Sequence, residues 1–225
     1  MPDRSAQGVA AIAAIIDPPL TVASLATSVD ELAARDPDLA GIVARFGPPP
    51  MWDRVPGFAT LLRIVLEQQV SLASAAAAFD RLRATVNPLI PAGFLLLTDA
   101  DLLAIGFSRQ KARYRRALAE AIETGALDLD ALAASDDETV HQSLQTIPGI
   151  GPWTSTIYLL MVLGRPDVWP VGDIALAAAV AEVKGLDVRP DPEEMARLGE
   201  AWRPWRSAAA RLFWHDYLGR RGRSG

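Results

Sequence analysis

The chain has 225 residues, 50% of them hydrophobic, and carries a net charge of −5 from 22 basic and 27 acidic side chains. That length supplies enough apolar material for one large domain or two small ones. The lack of cysteine excludes disulfides, thiolate zinc sites and iron–sulfur clusters, and the presence of only two histidines, His141 and His215, argues against a histidine-based metal site or triad.

The N-terminal segment shows no targeting or membrane signal. Its first twenty residues carry an acid as well as a base around a short apolar run, which favours a surface helix or tail over a signal peptide. Elsewhere charge, glycine or proline interrupts every apolar run within about a dozen residues, well short of a membrane span. We therefore expect a cytoplasmic protein without membrane contacts.

The first predicted elements are short helices. Ser28 and Glu31 have the spacing of a capping box. Asp36, followed by proline, predicts a second helix that stops at Gly47. The proline run 48–50 ends that helix and marks a subdomain boundary.

The rest of the chain also reads as helices and turns. An apolar helix is predicted over 58–70, with two glutamines near its end, and an alanine-rich helix over 71–86. Capping residues and glycines outline the other helices: Thr98 to Gly106, Ser108 to Gly125, Ser135 into a turn at 147–151, Asp173 to Gly185, one starting at Asp191 and a last one starting at Pro204. No alternating strand pattern or internal repeat occurs, so the predicted fold class is all-α.

Positive charge is concentrated in two segments despite the negative total. Five bases and no acid lie within 109–116, and six arginines face one acid, Asp216, within 203–223. The acids cluster in other segments. This distribution is compatible with one basic face on an acidic protein, although a solvated helix face explains 109–116 equally well.

The stretch from Leu144 to Asp173 reads LQTIPGIGPWTSTIYLLMVLGRPDVWPVGD. Its turn at 147–151 places two glycines just before an apolar helix. Backbone N–H groups there stand clear of side chains where the helix dipole is positive, which suits a phosphate oxygen. No strand precedes the turn and no Gly-Lys-Ser/Thr follows it, which excludes the dinucleotide fingerprint and the P-loop.

On these residues the chain resembles the helix-hairpin-helix DNA glycosylases that carry a Gly/Pro-rich segment and an aspartate, with the hairpin at 144–154. The resemblance implies that Asp173 is catalytic. A carboxylate would stabilise the positive charge that develops at C1′ of the sugar, and it could orient or deprotonate the attacking water. Position alone explains Asp173 as a helix N-cap, and the two roles are compatible.

The tail Trp-Arg-Pro-Trp-Arg-Ser, with Trp214 beyond it, resembles the DNA-3-methyladenine glycosylase II branch of that superfamily. The resemblance places Trp153 and Trp214 in the base pocket, and Tyr158 is assigned to the same pocket; without the resemblance these aromatics would be read as core. Electron-rich rings suit a cationic alkylated purine. Ile157 and Ile174 stand where some relatives have tyrosine, which makes the expected pocket less aromatic.

The resemblance assigns DNA contacts to two places. Gln69 lies at a Gln-Gln-Val-Ser helix end whose side chain fills the gap left by an extruded nucleotide, although a solvated helix end is the alternative. Backbone phosphate contacts are expected at the hairpin, with a monovalent cation held by its carbonyls. The hairpin residues are Pro148, Gly149, Ile150 and Gly151 for phosphate, and Thr146 and Ile147 for the cation.

The resemblance further implies two helical subdomains across a cleft, one formed by 1–56 with 148–225 and the other by 57–147, and no N-terminal β domain. The expected function is hydrolytic excision of alkylated bases, 3-methyladenine foremost, from double-stranded DNA by a monomer without cofactors. Trp153 replaces the lysine of relatives that also cut the backbone, so the enzyme is expected to be monofunctional. The alternatives are a hairpin module that only binds DNA and a glycosylase/lyase for oxidised bases.

Overall fold

The computed structural model describes residues 17–68 and 70–222, and no β-strand occurs within them, which confirms the all-α prediction. The helices are α1 (Val22–Arg35), α2 (Pro37–Phe46), α3 (Phe58–Leu66), α4 (Leu72–Thr85), α5 (Pro91–Leu95), α6 (Asp99–Ile105), α7 (Arg109–Glu123), α8 (Leu129–Ala133), α9 (Asp137–Gln145), α10 (Pro152–Met161), α11 (Ile174–Lys184), α12 (Pro192–Gly199) and α13 (Arg206–Arg220), with a 3-10 turn at Glu200–Trp202. Over the same residues, none of these helices combines the length and the apolar character that crossing a membrane requires. The N-terminal tail predicted from the first twenty residues lies almost wholly outside the described residues.

Helix α1 begins earlier than predicted. Its cap is Thr21, whose hydroxyl accepts the Ser24 N–H at 3.1 Å while Ser24 Oγ accepts the Thr21 N–H at 2.8 Å. The predicted capping box at Ser28 and Glu31 is therefore wrong, and the Ser28 hydroxyl is buried and donates to the Ser24 carbonyl. The helix starts upstream of Ser28 because Leu25 extends the buried face that Val29 and Leu32 form further along.

Most other predicted helix starts are confirmed by side-chain caps. The predicted cap of α9 is wrong by one residue, since Asp136 accepts the Thr139 N–H at 2.8 Å while Ser135 bonds back to Ala131. The last helix begins at Arg206, two residues after the predicted Pro204. The confirmed caps are Asp36, Ser71, Thr98, Ser108, Asp173 and Asp191.

The helices pack in two groups that are linked by α10, on which α9 packs. Helices α1 and α2 pack with α11 and α13, while α3, α4, α6 and α7 contact one another and α5 lies on α7. Helix α10 packs against α9 and α3, and its Trp153 and Leu160 bond to Asp173 and Arg211 of the other group, so it joins the two groups. The division at residues 57 and 147 stays a prediction.

Asp36 ties the N-terminal helices to the C-terminal ones. Its carboxylate accepts hydrogen bonds from Lys184 Nζ and from Trp202 Nε1, all at 2.8 Å. Burial raises the pKa of Asp36, but the hydrogen bonds from Lys184 and Trp202 outweigh it and hold that pKa below the ordinary value. The neighbouring Glu31 accepts the Trp205 indole N–H at 2.6 Å.

Arg211 holds the linker between α2 and α3 in place. Its fully buried guanidinium donates to the carbonyls of Met51 at 2.8 Å, Leu160 at 3.0 Å and Ser207 at 3.1 Å. Burial lowers the pKa of Arg211 to about 10. One side chain therefore joins the linker to α10 and α13, the helices that carry the two tryptophans of the predicted pocket.

Candidate active site

Asp173 lies at the N-terminus of α11, after a turn closed by its own N–H on the Pro170 carbonyl at 3.0 Å. Its Oδ1 accepts the Leu176 N–H at 2.7 Å. This bond confirms the N-cap interpretation, and it fixes the direction in which the carboxylate points.

Two tryptophans from other helices donate to the same carboxylate. Trp153 Nε1 of α10 donates to Asp173 Oδ2 at 2.9 Å, and Trp214 Nε1 of α13 donates to Oδ1 at 3.2 Å. A carboxylate offers about four lone-pair sites, so with the Leu176 N–H the described residues occupy three and leave one on Oδ2 open. The packing of α10, α11 and α13 thus immobilises Asp173 and both indole rings together.

The exposure of these residues shows where the site opens. Asp173 and Trp153 are half-buried, whereas Trp214 is only 8% exposed. Ile174, next to the carboxylate, is 69% exposed, and Ile157 is buried in the core. Of the two isoleucines at the positions where the resemblance suggested tyrosine, only Ile174 therefore lies at the surface beside the carboxylate.

Tyr158 does not join this cluster. It lies five residues after Trp153 on α10, about 140° further round the helix, and its side chain is fully buried. Its hydroxyl has no hydrogen-bond partner within the described part of the chain, and burial, with a smaller contribution from the charge of Asp130, raises the pKa of Tyr158 to about 12. Its assignment to the base pocket is not supported by this placement.

The environment of Tyr158 predicts a pH-dependent stability. A tyrosine ionises near pH 10 in the unfolded chain and near 12 here, so its favourable contribution is complete below pH 10 and is lost as the pH rises towards 12. We expect Tyr158→Phe to unfold at the same or a higher urea concentration at pH 8, and to lose less stability than the parent chain between pH 9 and 11.5. Base release at neutral pH should stay within about twofold. Equal losses of stability in both proteins would contradict the prediction.

The Trp-Arg-Pro-Trp-Arg-Ser tail supports the segment that leads to Asp173. Ser207 Oγ donates to the Arg165 carbonyl at 2.6 Å and accepts the Val168 N–H at 3.0 Å. Asp167 in the same segment accepts from Arg203 and Arg206. In the sequence this motif indicated the branch of the superfamily. In the structure its polar side chains fix residues 165–168, which lead to Asp173, and in the tail only Trp214, beyond the motif, contacts the carboxylate.

The hairpin contains a type II β-turn. Pro148 and Gly149 are its central residues, Gly149 has φ +87°, and the Ile150 N–H closes the turn on the Ile147 carbonyl at 3.0 Å. A Cβ on residue 149 would lie 2.6 Å from Cδ2 of Tyr114. Both the backbone angle and the contact with α7 therefore require glycine at this position.

The turn determines which hairpin groups can bind a phosphate. Within residues 17–68 and 70–222, the N–H groups of Gly149 and Gly151 have no acceptor, and both lie just before α10. The Ile150 N–H is used by the turn and its side chain is buried, while Pro148 is exposed and has no N–H. Of the four predicted contact residues, the two glycines supply the donors.

Two other predicted DNA-site features are untested. Gln69 lies outside the described residues. The cation predicted at the Thr146 and Ile147 carbonyls also stays a prediction: Ile147 already accepts the Ile150 N–H, which leaves it one lone pair for a cation.

The basic helix α7 presents less charge than its sequence suggests. Arg115 is 3% exposed and donates to the Val65 carbonyl at 3.0 Å, and burial lowers its pKa to about 10. Arg116 donates to the Leu97 carbonyl at 2.6 Å. Of the five bases, only Arg109 and Arg113 are exposed. The sequence did not indicate that Arg115 and Arg116 point inward, because the direction of a side chain depends on tertiary packing.

A shallow groove of about 630 Å³ lies between α9 and α10, and none of Trp153, Asp173 and Trp214 lines it. Most of its lining residues are of polar types, among them His141, whose Nδ1 lies 2.7 Å from Ser155 Oγ. The convergence of donors on one carboxylate, rather than this groove, identifies Asp173 as the candidate site.

Comparison with known proteins was consistent across family, sequence and structure. A family model described as HhH-GPD superfamily base excision DNA repair protein matches residues 62–204. DNA-3-methyladenine glycosylase 1 of Schizosaccharomyces pombe is 28% identical over 181 residues, which cover 78% of this chain and 79% of that protein. DNA-3-methyladenine glycosylase of Bacillus subtilis is 27% identical over 118 residues, which cover 52% of this chain and 39% of that protein.

Solved structures give the same result. The Schizosaccharomyces pombe 3-methyladenine DNA glycosylase Mag1, in complex with abasic DNA, superposes with a TM-score of 0.77 at 25% identity, covering 84% of this chain and 95% of that one. The chain spans only 39% to 40% of the length of the Bacillus subtilis and Mycobacterium tuberculosis relatives that it matches.

Proposed function

The chain belongs to the HhH-GPD superfamily of base excision DNA repair proteins, and on that premise we propose that it is a monofunctional glycosylase that excises alkylated bases from double-stranded DNA. 3-Methyladenine is the foremost substrate. The observation that carries the proposal is the Asp173 carboxylate, held by the indole N–H groups of Trp153 and Trp214 with one lone pair open. The names of the similar glycosylases support the same substrate class.

Asp173 acts on the sugar. As the bond from C1′ to the base breaks, its electron pair leaves with the base and positive charge develops on the sugar ring. The open lone pair of Oδ2 faces this charge, and water then adds to C1′ and gives up its proton to the solvent. Three of the four lone-pair sites already accept hydrogen bonds, which favours electrostatic stabilisation over proton abstraction as the main role of the carboxylate.

Trp153 and Trp214 form the base pocket. Methylation at N3 or N7 makes a purine cationic, so it is attracted to aromatic faces and leaves as a neutral base without a general acid. The hydrogen bonds to Asp173 fix both rings before substrate arrives. The pocket is therefore preorganised, and no ordering of the indoles is required on binding.

The two contributions of Trp214 can be separated by two substitutions. Trp214→Phe keeps an aromatic face but removes the N–H bond to Asp173, so release of 3-methyladenine and of hypoxanthine, a neutral base, should fall by similar factors of about ten. Trp214→Leu also removes the ring, and loss of an attraction worth about 2 kcal/mol should lower 3-methyladenine release by roughly a further thirtyfold. Single-turnover release of each base from matched duplexes measures both effects.

For the leucine variant, hypoxanthine release should decrease less than 3-methyladenine release. If both substrates lose equally on going from phenylalanine to leucine, Trp214 only shapes the pocket. If neither variant affects either substrate, Trp214 belongs to the core alone.

A lyase would need an amine at the sugar, and the sequence has only two lysines, Lys111 and Lys184. Lys184 is bound to Asp36 and Asp38 at 2.8 Å, and Lys111 lies in the first turn of α7. This arrangement disfavours the glycosylase/lyase alternative, which borohydride trapping of a protein–DNA adduct would reveal.

The proposed function is tested by a base-release panel. Duplexes containing 3-methyladenine, 7-methylguanine, hypoxanthine or 1-methyladenine are incubated with the protein, and the free base and the abasic site are both quantified. We expect base release with 3-methyladenine fastest, abasic sites in equal amount and no strand cleavage. A protein that binds these duplexes without releasing any base would be the DNA-binding module instead.

A further inference from the structure

Gln68 connects the end of α3 to the hairpin. Its Nε2 donates to the Thr154 hydroxyl at 2.6 Å and to the Gly149 carbonyl at 3.0 Å. An amide NH2 has two protons, and both are used here. Thr154 is 1% exposed, so its bond with Gln68 is sheltered from water.

The same hairpin residue is held from a second direction. The ring of Tyr114 lies against Gly149, and the Tyr114 hydroxyl accepts a hydrogen bond from Gln110 Nε2 at 2.9 Å. The Gly149 peptide is therefore held between the end of α3 and α7. The hairpin cannot shift without disturbing at least one of these contacts.

The turn that follows Gln68 exposes apolar side chains. Val70 is 39% exposed and Leu72 is 61% exposed, on either side of the α4 cap Ser71. Exposed apolar groups that follow a residue bonded to the hairpin are suited to contact unstacked bases, because a base stack would remove them from water. We refer to the described residues 67, 68 and 70–72, the last of which begins α4, as the α3–α4 turn.

We propose that Gln68 is a positioning residue that couples the hairpin to the α3–α4 turn, so that the turn enters the DNA at a fixed distance from the bound phosphate. The proposal rests on the proposed function. Extruding a base requires that one strand is held while the vacated space is occupied. Because Gln68 already links the hairpin to the turn, the strand can be held and the space filled with little further ordering of the chain. An unlinked turn would lose conformational freedom when it inserts.

The test measures binding and needs no base release. The full chain is titrated into a duplex with a tetrahydrofuran abasic analogue opposite 2-aminopurine, whose fluorescence rises when it unstacks, and into the same duplex without the abasic analogue. For Gln68→Ala we expect affinity for the abasic duplex to fall about tenfold, the size expected for one or two lost hydrogen bonds. The fluorescence rise should shrink, while affinity for the undamaged duplex changes less than twofold.

A double-mutant cycle identifies the partner. Thr154→Val removes the buried hydroxyl and should lower abasic-duplex affinity, Thr154→Ser should bind like the parent, and adding Thr154→Val to Gln68→Ala should cost nothing further. Gln142→Ala is the matched control, because Gln142 is exposed on α9 and bonds only to Glu138 among the described residues. If Gln68→Ala fails to fold, Gln68→Met keeps the length of the side chain without its donor.

Three results would overturn the proposal: additive losses in the cycle, equal losses on both duplexes, or an unchanged fluorescence rise in Gln68→Ala. Failure of the proposed function looks different. In that case the parent chain releases no base in the lesion panel, while the fluorescence change and its dependence on Gln68 remain.

Discussion

Asp173→Asn is expected to reduce single-turnover base release by three or more powers of ten, which corresponds to about 4 kcal/mol of transition-state stabilisation. An amide carries no negative charge and therefore cannot stabilise the sugar cation as the carboxylate does. It also has only one acceptor oxygen, so if that oxygen keeps the Leu176 N–H and Trp214, its NH2 group faces the Trp153 N–H donor to donor. Affinity for a lesion duplex should be unchanged or tighter, because a negative charge near phosphate is removed.

Asparagine is as good an N-cap as aspartate, so the loss of stability should come from the Trp153 contact alone and stay within about 1–3 kcal/mol. Asp191→Asn is the matched control, since Asp191 caps α12 by accepting the Glu194 N–H at 2.9 Å and lies outside the site. Its base release should equal that of the parent chain. Near-parental release by Asp173→Asn would remove Asp173 from the mechanism.

Arg211→Met is expected to give the largest loss of stability, about 3–5 kcal/mol in the free energy of unfolding. The variant loses the charged hydrogen bonds and leaves three buried carbonyls without a donor beside an apolar side chain. These carbonyls belong to Met51, Leu160 and Ser207. A loss of this size is a large part of the total stability of a typical domain. Urea unfolding followed by circular dichroism measures it.

Arg211→Lys should lose less than Arg211→Met but still about 2 kcal/mol, because one ammonium group cannot reproduce the planar fork that reaches three carbonyls. Arg197→Met is the matched control, since Arg197 is exposed and bonds only to Glu194 within the described chain; its cost should stay below about 0.5 kcal/mol. Equal costs at positions 197 and 211 would show that the buried guanidinium contributes nothing specific.

Local signals predicted most helix starts, and the errors arose where packing decided the start of a helix or where a helix was too short to show a pattern. Asp36, Thr98, Ser108 and Asp191 were predicted as helix starts because a cap depends on the next two or three residues alone. Ser28 met the same pattern but lies on the buried face of α1, where packing decides the helix start. The five-residue helices α5 and α8 were missed because they are too short for a periodic pattern.

The candidate site was predicted in its residues but not in its connections. Trp153, Asp173 and Trp214 were singled out by resemblance, and the structure brings them together. Nothing in the sequence indicated that the two indole N–H groups would share one carboxylate. That Gln68 reaches the hairpin was equally hidden, because such contacts depend on how α3, α10 and α13 are rotated and packed.

The hydrogen bonds that Trp202 and Trp205 donate to Asp36 and Glu31 have a consequence for synthesis on the ribosome. The partners are 166 and 174 residues apart in the chain. At translation rates of about 5–20 residues per second, α1 and α2 leave the ribosome on the order of 10–30 s before their partners exist. Their apolar faces must remain uncovered for that time, so this half of the fold forms last and is the part most exposed to aggregation during translation.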